Sequence, residues 1–261
     1  MDEQYKQMFQ SLYERPDRRS VWGLALLAAL LFIALGTLLL SGTRMGRLVF
    51  DLGGNLLPYP FTIQNFTHIA FFLGLAEIFV RWRSAEHELT FFDQKLLPED
   101  DETVLEKADL GPLRKNIVGL YDEERGFLPS MINLCILQFQ SGRSVDQTVA
   151  VMQGSLDLLQ HRVDLRYSLI RYLVWFIPTL GFLGTAMGIG ATLAAVPADG
   201  NVQMPLLASQ LSVAFDTTVM ALIWSAILVF LFHFVQEREE LGVNLVGTYT
   251  LRNLINRLYA G

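Results

Sequence analysis

The sequence predicts an all-α polytopic membrane protein with four transmembrane helices and a helical cytoplasmic region. Of its 261 residues, 52% are apolar and 18% are charged, whereas soluble domains carry about a quarter charged residues. Four apolar stretches reach the roughly 20 residues that a helix needs to cross a ~30 Å hydrocarbon core. Because lipid offers the backbone no hydrogen-bonding partner, each stretch is expected to be a helix.

The four predicted spans differ in how purely apolar they are. The first and the third carry no charge, the second carries Glu77 near its end, and the fourth carries Asp216. The second is also interrupted by Gln64, Asn65, Thr67 and His68, which makes it the least regular of the four. The first is too long for the core of a signal peptide, so we expect it to be retained. The stretches are 21–40, 61–80, about 172–196 and about 205–235.

Basic residues near the span ends predict the orientation, since Lys and Arg are enriched on the cytoplasmic side. They are frequent before the first span, after the second and after the fourth, and absent from 197–204. Both termini are therefore expected in the cytoplasm, with the loops 41–60 and 197–204 outside. The predicted regions are an N-terminal tail (1–20), spans one and two with a short outer loop (21–80), a cytoplasmic helical region (81–168), spans three and four (169–236) and a C-terminal tail (237–261).

The cytoplasmic region contains one clear helical pattern. Apolar residues at 145, 149, 152, 156, 159 and 163 keep one stripe on one helix face. We expect the stripe to pack on a helical extension of span two, with a contact between subunits as the alternative. The acidic run 98–102 and the Gly111-Pro112 pair predict a loop and a break. The charges at 81, 83, 86 and 88 are expected to form a solvated helix surface, with a docking patch for a partner as the alternative.

Several functional classes are excluded by composition and motifs. A net charge of −6 argues against binding of nucleic acid. A single cysteine, Cys135, excludes an intrachain disulfide. The sequence contains no phosphate-binding Gly-x-x-x-x-Gly-Lys loop, no Gly-x-Ser-x-Gly elbow and no His-Glu-x-x-His pair. We therefore predict no catalytic residue, no metal site and no cofactor.

Span three carries a stripe of small residues. Gly181, Gly184 and Gly188 follow one another at spacings of 3 and 4, so they line one face and let another backbone approach closely. Pro178, one turn before them, lacks a backbone N–H and is expected to bend the helix. These four residues are the predicted helix-packing set.

Hydroxyl side chains recur at heptad spacing in the last two spans. Thr185 and Thr192 are seven apart in span three, and Thr218 and Ser225 are seven apart in span four. Such hydroxyls either line a polar path or bond back to their own helix, and both interpretations stay open from the spacing alone. Asp216, in the outer half of span four, is a functional candidate because an unpaired acid in lipid is costly. A structural acid, paired or hydrogen-bonded between subunits, is the alternative.

Two segments on these spans resemble one family. Residues 181–189, Gly-Phe-Leu-Gly-Thr-Ala-Met-Gly-Ile, are similar to the Gly-Leu-Leu-Gly-Thr-Val-x-Gly-Ile signature of the MotA/TolQ/ExbB proton-channel family. Residues 214–222 resemble its last-span motif, Ala-Leu-x-x-Thr-Ala-x-Gly-Leu. Thr185 and Thr218 match the threonines of that family's ion path, whereas Ala221 replaces the motif glycine and Asp216 falls at a variable position.

The resemblance implies an ion-driven motor subunit of a bacterial inner membrane. Family members form a homopentamer around a dimer of a single-span MotB/TolR/ExbD-like partner, whose aspartate carries the proton or sodium ion. The expected ion path then comprises Thr185, Thr218, Thr192, Asp216 and Ser225. Spans one and two would form the lipid-facing wall. The alternative from another class is a non-conducting tetraspan scaffold, and a transporter working alone is disfavoured by the absence of internal repeats.

Overall fold

The computed structural model describes residues 17–52, 57–100, 102–122, 125–142, 144–194, 196 and 204–259. Within them the regular structure is helical apart from one isolated bridge between Leu105 and Leu258, so the all-α prediction is confirmed. The predicted tail 1–20 and outer loop 197–204 lie almost wholly outside the described residues. The helices are α1 (Arg18–Leu40), α2 (Arg44–Phe50), α3 (Ile63–Asp93), α4 (Lys107–Ile117), α5 (Phe127–Gly142), α6 (Val145–Arg166), α7 (Ser168–Ala194), α8 (Met204–Asn253) and a 3₁₀ helix (Ile255–Arg257).

Four segments of the described chain are long and apolar enough to cross a membrane, which confirms the number of predicted spans. They are Arg18–Leu40, Ile63–Asp93, Val145–Ala194 and Gln210–Arg257. Three of them continue well beyond the predicted spans, since hydropathy detects only the apolar part of a helix and not its polar extension. The helices α6 and α7 follow each other with only Tyr167 between them.

The chain divides into two compact units. The first, here called the span unit, contains Pro16–Val80 and Ser168–His233. The second, here called the head unit, contains Met1–Arg15, Arg81–Tyr167 and Phe234–Gly261, of which Met1–Arg15 lies outside the described residues. Each unit is held together by contacts of its own.

The first two spans occupy different places in the span unit. Only 11% of the most apolar stretch of α1 is buried, which suits a helix that faces lipid, whereas 67% of that of α3 is buried. The prediction of a lipid-facing wall is therefore wrong for α3. The physical reason is the polar interruption, since Gln64, Asn65, Thr67 and His68 all turn inward, with exposed fractions of 1, 3, 1 and 0%.

A buried carboxylate fixes α1 to α3. Glu77 accepts hydrogen bonds from the Arg18 Nε at 3.2 Å and from the Trp22 Nε1 at 2.8 Å, and Arg18 Nη2 lies 3.1 Å from its second oxygen. A buried charge is costly unless it is paired and hydrogen-bonded. The acid that the sequence places near the end of span two is thus a structural tie.

In the head unit the apolar stripe of α6 faces inward. Met152 and Val163 are buried, and the other four members of the stripe are half-buried. The helix packs on α5, and the Leu156 side chain lies against Gly247 of α8, where a Cβ would come within 2.7 Å of it. The helix α6 therefore packs on α5, and Leu156 of the stripe contacts α8.

The predicted break at Gly111-Pro112 is wrong, because both residues lie inside α4. An interior proline removes one backbone hydrogen bond and crowds the carbonyl four residues before it, so other interactions must offset this cost. The helix start is stabilised by Asp109, whose carboxylate accepts the Glu106 backbone N–H at 2.9 Å. Leu110 and Ile117 are completely buried, so tertiary packing outweighs the local preference.

The charges expected on a solvated surface are instead drawn into the head unit. Glu88 is 5% exposed and accepts the backbone N–H groups of Gly126 and Phe127, at 2.9 and 2.7 Å, at the start of α5. Glu86 pairs with Arg238 of α8 at 2.6 Å. Both interpretations of this patch are thus wrong for Glu88, which caps a helix.

A second buried carboxylate joins α8 to the end of α6. Glu239, 2% exposed, accepts the Tyr167 hydroxyl at 2.7 Å and the Arg166 Nη1 at 3.3 Å. The Arg166 guanidinium also lies over the ring of Phe127, 5.3 Å from its centroid. The single residue between α6 and α7 is therefore held by an ionic and hydroxyl network inside the head unit.

A candidate ion-path seam between α7 and α8

The small residues of α7 are the place where α8 approaches most closely. A Cβ added to Gly181 would lie 2.5 Å from the Cβ of Ala221 and 3.1 Å from the Cα of Thr218. One added to Gly184 would lie 2.6 Å from the Thr217 hydroxyl oxygen. The close approach expected from the glycine spacing therefore occurs within one chain. We call this contact between α7 and α8 the seam.

The two motif threonines meet across the seam. The hydroxyl oxygens of Thr185 and Thr218 are 2.5 Å apart. The Thr185 hydroxyl lies 2.8 Å from the Ala214 carbonyl of α8, and the Thr218 hydroxyl lies 2.9 Å from the Gly181 carbonyl of α7. Both side chains are half-buried in the isolated chain. These two hydroxyls therefore bond across the helices, and the alternative in which they bond back to their own helix does not apply to them.

Thr217 is the residue of the seam that sequence reasoning missed. The sequence places it on another face than Thr218, yet it is 3% exposed and lies against Gly184. Its hydroxyl is within 2.8 Å of the Ala214 carbonyl and 3.1 Å of the Gly181 carbonyl. Thr217 and Ala221 are four residues apart, as Gly184 and Gly188 of α7 are. This spacing is the sequence signal that points to Thr217.

Ser225 satisfies the backbone group that Pro178 leaves without a partner. In a helix the carbonyl of Val174 would accept the N–H of residue 178, which proline lacks. The Ser225 hydroxyl of α8 donates to this carbonyl at 3.1 Å. An unpaired carbonyl at membrane depth is costly, so the serine and the proline form one feature of the seam.

Thr192 and Gly188 have a separate role. Thr192 is 2% exposed and donates to the Gly188 carbonyl of its own helix at 2.7 Å. The shared face predicted for Thr185 and Thr192 thus does not give them shared partners. Own-helix bonding, left open by the spacing, is the observed state of Thr192.

Asp216 has its own electrostatic neighbours in the span unit. The side chain is half-buried, and its charge is attracted by Arg44 and Arg47 of α2. It also acts on Asp51, the residue that ends α2, where burial and the neighbouring Asp216 raise the pKa of the Asp51 carboxyl to about 6. Asp216 thus interacts electrostatically with α2 and the outer loop of its own chain.

Comparison with known proteins gives a family match over the part of the chain that contains the seam. Residues 123–245 match the family model of the MotA/TolQ/ExbB proton channel family. Over these residues, slightly less than half of the chain, the sequence is similar to that family. The match includes both motif segments and the helices α5, α6 and α7, and it ends within α8. The MotA/TolQ/ExbB family is a transport family and not an enzyme family, so the chain resembles a channel-forming class of multi-pass membrane proteins.

The match begins after α3 and so leaves the first two spans outside it. No curated protein and no solved structure matched the chain. The family similarity therefore rests on the head-unit helices and on the two spans that form the seam.

Proposed function

We propose that this chain is the ion-conducting subunit of a membrane motor driven by a proton or sodium gradient. Five copies would surround a dimer of a single-span MotB/TolR/ExbD-like partner, whose aspartate binds and releases the ion. The proposal places the protein in the bacterial inner membrane with both termini in the cytoplasm. The family match over residues 123–245 supports the channel class, and the seam supports the role of these residues in it.

The observation that carries the proposal is the threonine pair of the seam. Thr185 and Thr218 share one short hydroxyl–hydroxyl hydrogen bond and each also lies within hydrogen-bonding distance of a backbone carbonyl of the neighbouring helix, so one hydroxyl donates to the other and both oxygens keep a lone pair for a passing group. Neither side chain carries a fixed charge. Conduction requires that an ion leaves as easily as it enters, and neutral oxygens bind it weakly enough for release.

The seam also supplies a rigid edge beside which another helix can move. The α7 glycines hold α8 at backbone contact distance, and the hydrogen bond from Ser225 to the Val174 carbonyl fixes the part of the contact near Pro178. Both threonines stay half-buried in the isolated chain, so their remaining surface is available to a second molecule. A partner carboxylate passing at this height would meet hydroxyl oxygens at each subunit in turn.

The scaffold hypothesis remains the second candidate, because every hydroxyl of the seam already bonds within the chain. Such a seam could serve packing alone. Ion flux separates the two functions, because a scaffold carries no ions even when the partner is present and the threonine pair is intact.

The test is ion flux into vesicles that contain the full chain with and without the single-span partner. The partner to supply is the product of an adjacent gene encoding one span with an aspartate early in it. We expect flux only with both proteins, and Thr218→Val should lower it about tenfold, the equivalent of one hydrogen bond. Thr248→Val is the matched control on the same helix, because Thr248 is exposed and bonds to its own Asn244 carbonyl.

Mass measurement of the detergent-solubilised complex is the second measurement. A five-fold ring with two partner copies supports the motor, whereas a monomer or dimer of this chain contradicts it. Flux that is the same with Thr218→Val as with the wild type, or the same without the partner, would remove the motor interpretation, and no flux in any sample would favour the scaffold.

A further inference from the structure

A buried histidine of α3 makes two hydrogen bonds to different parts of the span unit. His68 has no exposed surface. Its Nε2 lies 2.8 Å from the Val49 carbonyl of α2, and its Nδ1 accepts the indole N–H of Trp224, on α8, at 3.0 Å. The ring thereby joins α2, α3 and α8. The family match begins after this residue, so no motif of the family accounts for it.

The two partners fix the protonation of the ring. An indole N–H can only donate, so Nδ1 of His68 is unprotonated and accepts. Nε2 then carries the hydrogen and donates it to the Val49 carbonyl. With both nitrogens used, His68 is neutral and has one defined orientation, in which the Trp224 bond depends on Nδ1 alone.

Aromatic rings hold this pair in place. Phe32 and Phe50 each lie 5.2 Å from the His68 ring, and the ring of Phe71 lies 4.3 Å from that of Trp224. Packed rings of this kind have little rotational freedom. The hydrogen bond therefore transmits the position of α3 to α8 through a stiff side chain.

The Trp224 bond acts at the edge of the seam, on the side where Thr217 lies, because Trp224 follows Thr217 by seven residues. Trp224 follows Thr218 by six residues, which at the α-helical repeat turns it about 120° around the axis. The seam by itself holds α8 along one line and leaves it able to roll against α7. A contact with α3 in a second direction removes that freedom, so it determines which way Thr218 points.

We propose that His68 is a positioning residue for the threonine pair, because by accepting the Trp224 N–H it fixes the rotation of α8 and thereby the facing of Thr218 and Thr185. Its effect on flux rests on the proposed function of the seam. Its effect on geometry does not, and the two are measured separately.

The geometric test is disulfide formation between Thr185→Cys and Thr218→Cys in the full chain, with Cys135→Ala to remove the native thiol. The two hydroxyl oxygens are 2.5 Å apart, so the parent pair should cross-link readily. His68→Gln places its amide near the Nε2 position and loses the Nδ1 acceptor, and Trp224→Phe loses the donor but keeps the ring plane. We expect each to slow cross-linking about fivefold, the effect of one lost hydrogen bond.

Two control variants make this test specific. His68→Asn keeps an acceptor near the Nδ1 position, so its cross-linking rate should stay close to that of the parent. His161→Gln changes an exposed histidine of α6 and should have no effect. The combination of His68→Gln with Trp224→Phe should be no slower than either change alone, since both remove the same bond.

Failure is clearly defined in each measurement. Equal cross-linking rates in the parent, His68→Gln and Trp224→Phe would overturn the proposal, as would a parent pair that does not cross-link. A double variant whose effects multiply would show that the two side chains act independently and would overturn it too. In flux assays with the partner, His68→Gln should conduct about fivefold less than His68→Asn. Altered cross-linking with no flux in any sample would refute the motor and leave the positioning role intact.

Discussion

The seam of the span unit and the network of the head unit tie helices together with opposite chemistry. In the seam, the neutral hydroxyls of Thr185, Thr218 and Ser225 lie within hydrogen-bonding distance of backbone carbonyls. In the head unit, Glu239 and Glu88 are buried anions that accept from a guanidinium, a phenol and backbone N–H groups. Burial of charge is costly and requires complete pairing, whereas a hydroxyl needs only one partner.

This difference shows how one chain can use charged groups to fix its helices and neutral groups beside a proposed ion path. A neutral seam can lie beside an ion without trapping it, because no fixed charge binds the ion tightly. A charged network holds its helices firmly but tolerates no missing partner. We therefore expect substitutions in the head network to affect stability most, and those in the seam to affect it less.

The largest loss of stability is expected from Glu239→Ala. It removes the Glu239 carboxylate from the Arg166 guanidinium and the Tyr167 hydroxyl, which costs about 3–5 kcal/mol of unfolding free energy, as for other broken buried pairs. Thermal unfolding in detergent measures it, and Glu237→Ala, exposed on the same helix, is the control. A Glu239→Ala melting curve that matches the control would show that the network does not stabilise the head unit.

Gly181→Ala tests the closest packing of the seam. The new Cβ would lie 2.5 Å from the Cβ of Ala221, so backbone must shift. We expect a loss of about 2 kcal/mol, typical of an overpacked interior. Gly190→Ala in the same helix has nothing within 4 Å and should be neutral or stabilising. Equal stability of the two variants would contradict the close approach.

Asp51→Asn probes the outer loop of the span unit through pH. Burial first, and the charge of Asp216 second, raise the pKa of Asp51 from 3.8 to about 6. The folded state thus binds this proton more tightly than the unfolded state, so stability falls as pH rises from 3.8 to about 6. Above that range the ionised carboxyl costs about 3 kcal/mol.

Asparagine removes that charge and tolerates the left-handed backbone of this position, where φ is 55°. We expect Asp51→Asn to be more stable than the wild type at pH 8, by about 3 kcal/mol. The difference should vanish near pH 4. Unfolding in denaturant at both pH values measures it, and a difference that does not change with pH would show that Asp51 does not titrate in this range.

The smallest effect on stability is expected at the hydrogen bond between Ser225 and the Val174 carbonyl. Ser225→Ala leaves the Val174 carbonyl without its donor, at a cost of about 1 kcal/mol. Pro178→Ala restores a backbone N–H for this carbonyl, so adding it to Ser225→Ala should lower the cost. A double variant as unstable as the sum of the single changes would show that the two residues act separately.

Much of the fold followed from the sequence because long apolar runs leave few alternatives. The number of spans, the all-helical class and the family motifs are confirmed. The glycine spacing indicated where a backbone approaches, though not that the approaching helix is α8 of the same chain. The motor itself, its ion and its partner stay predictions.

The sequence does not show which way a side chain points or what packs against it. Each wrong expectation failed for that reason. Hydropathy averages over a helix, so it missed that the polar residues from Gln64 to His68 turn inward and make α3 the buried span. Local patterns likewise gave a break at Gly111-Pro112 and a solvated Glu88. Burial of Leu110 and Ile117 decided the first, and the backbone N–H groups at the start of α5, which Glu88 caps, decided the second.

By itself the sequence determined that this chain crosses a membrane as helices, because its backbone has no other way to satisfy its hydrogen bonds in lipid. It also determined which helices carry small and hydroxyl side chains. Only the tertiary structure decided their partners: Thr185 with Thr218, Ser225 with the Val174 carbonyl, and His68 with Trp224. The physical reason is that a hydrogen bond depends on a few ångströms and on direction, which are set when helices from distant parts of the chain pack together.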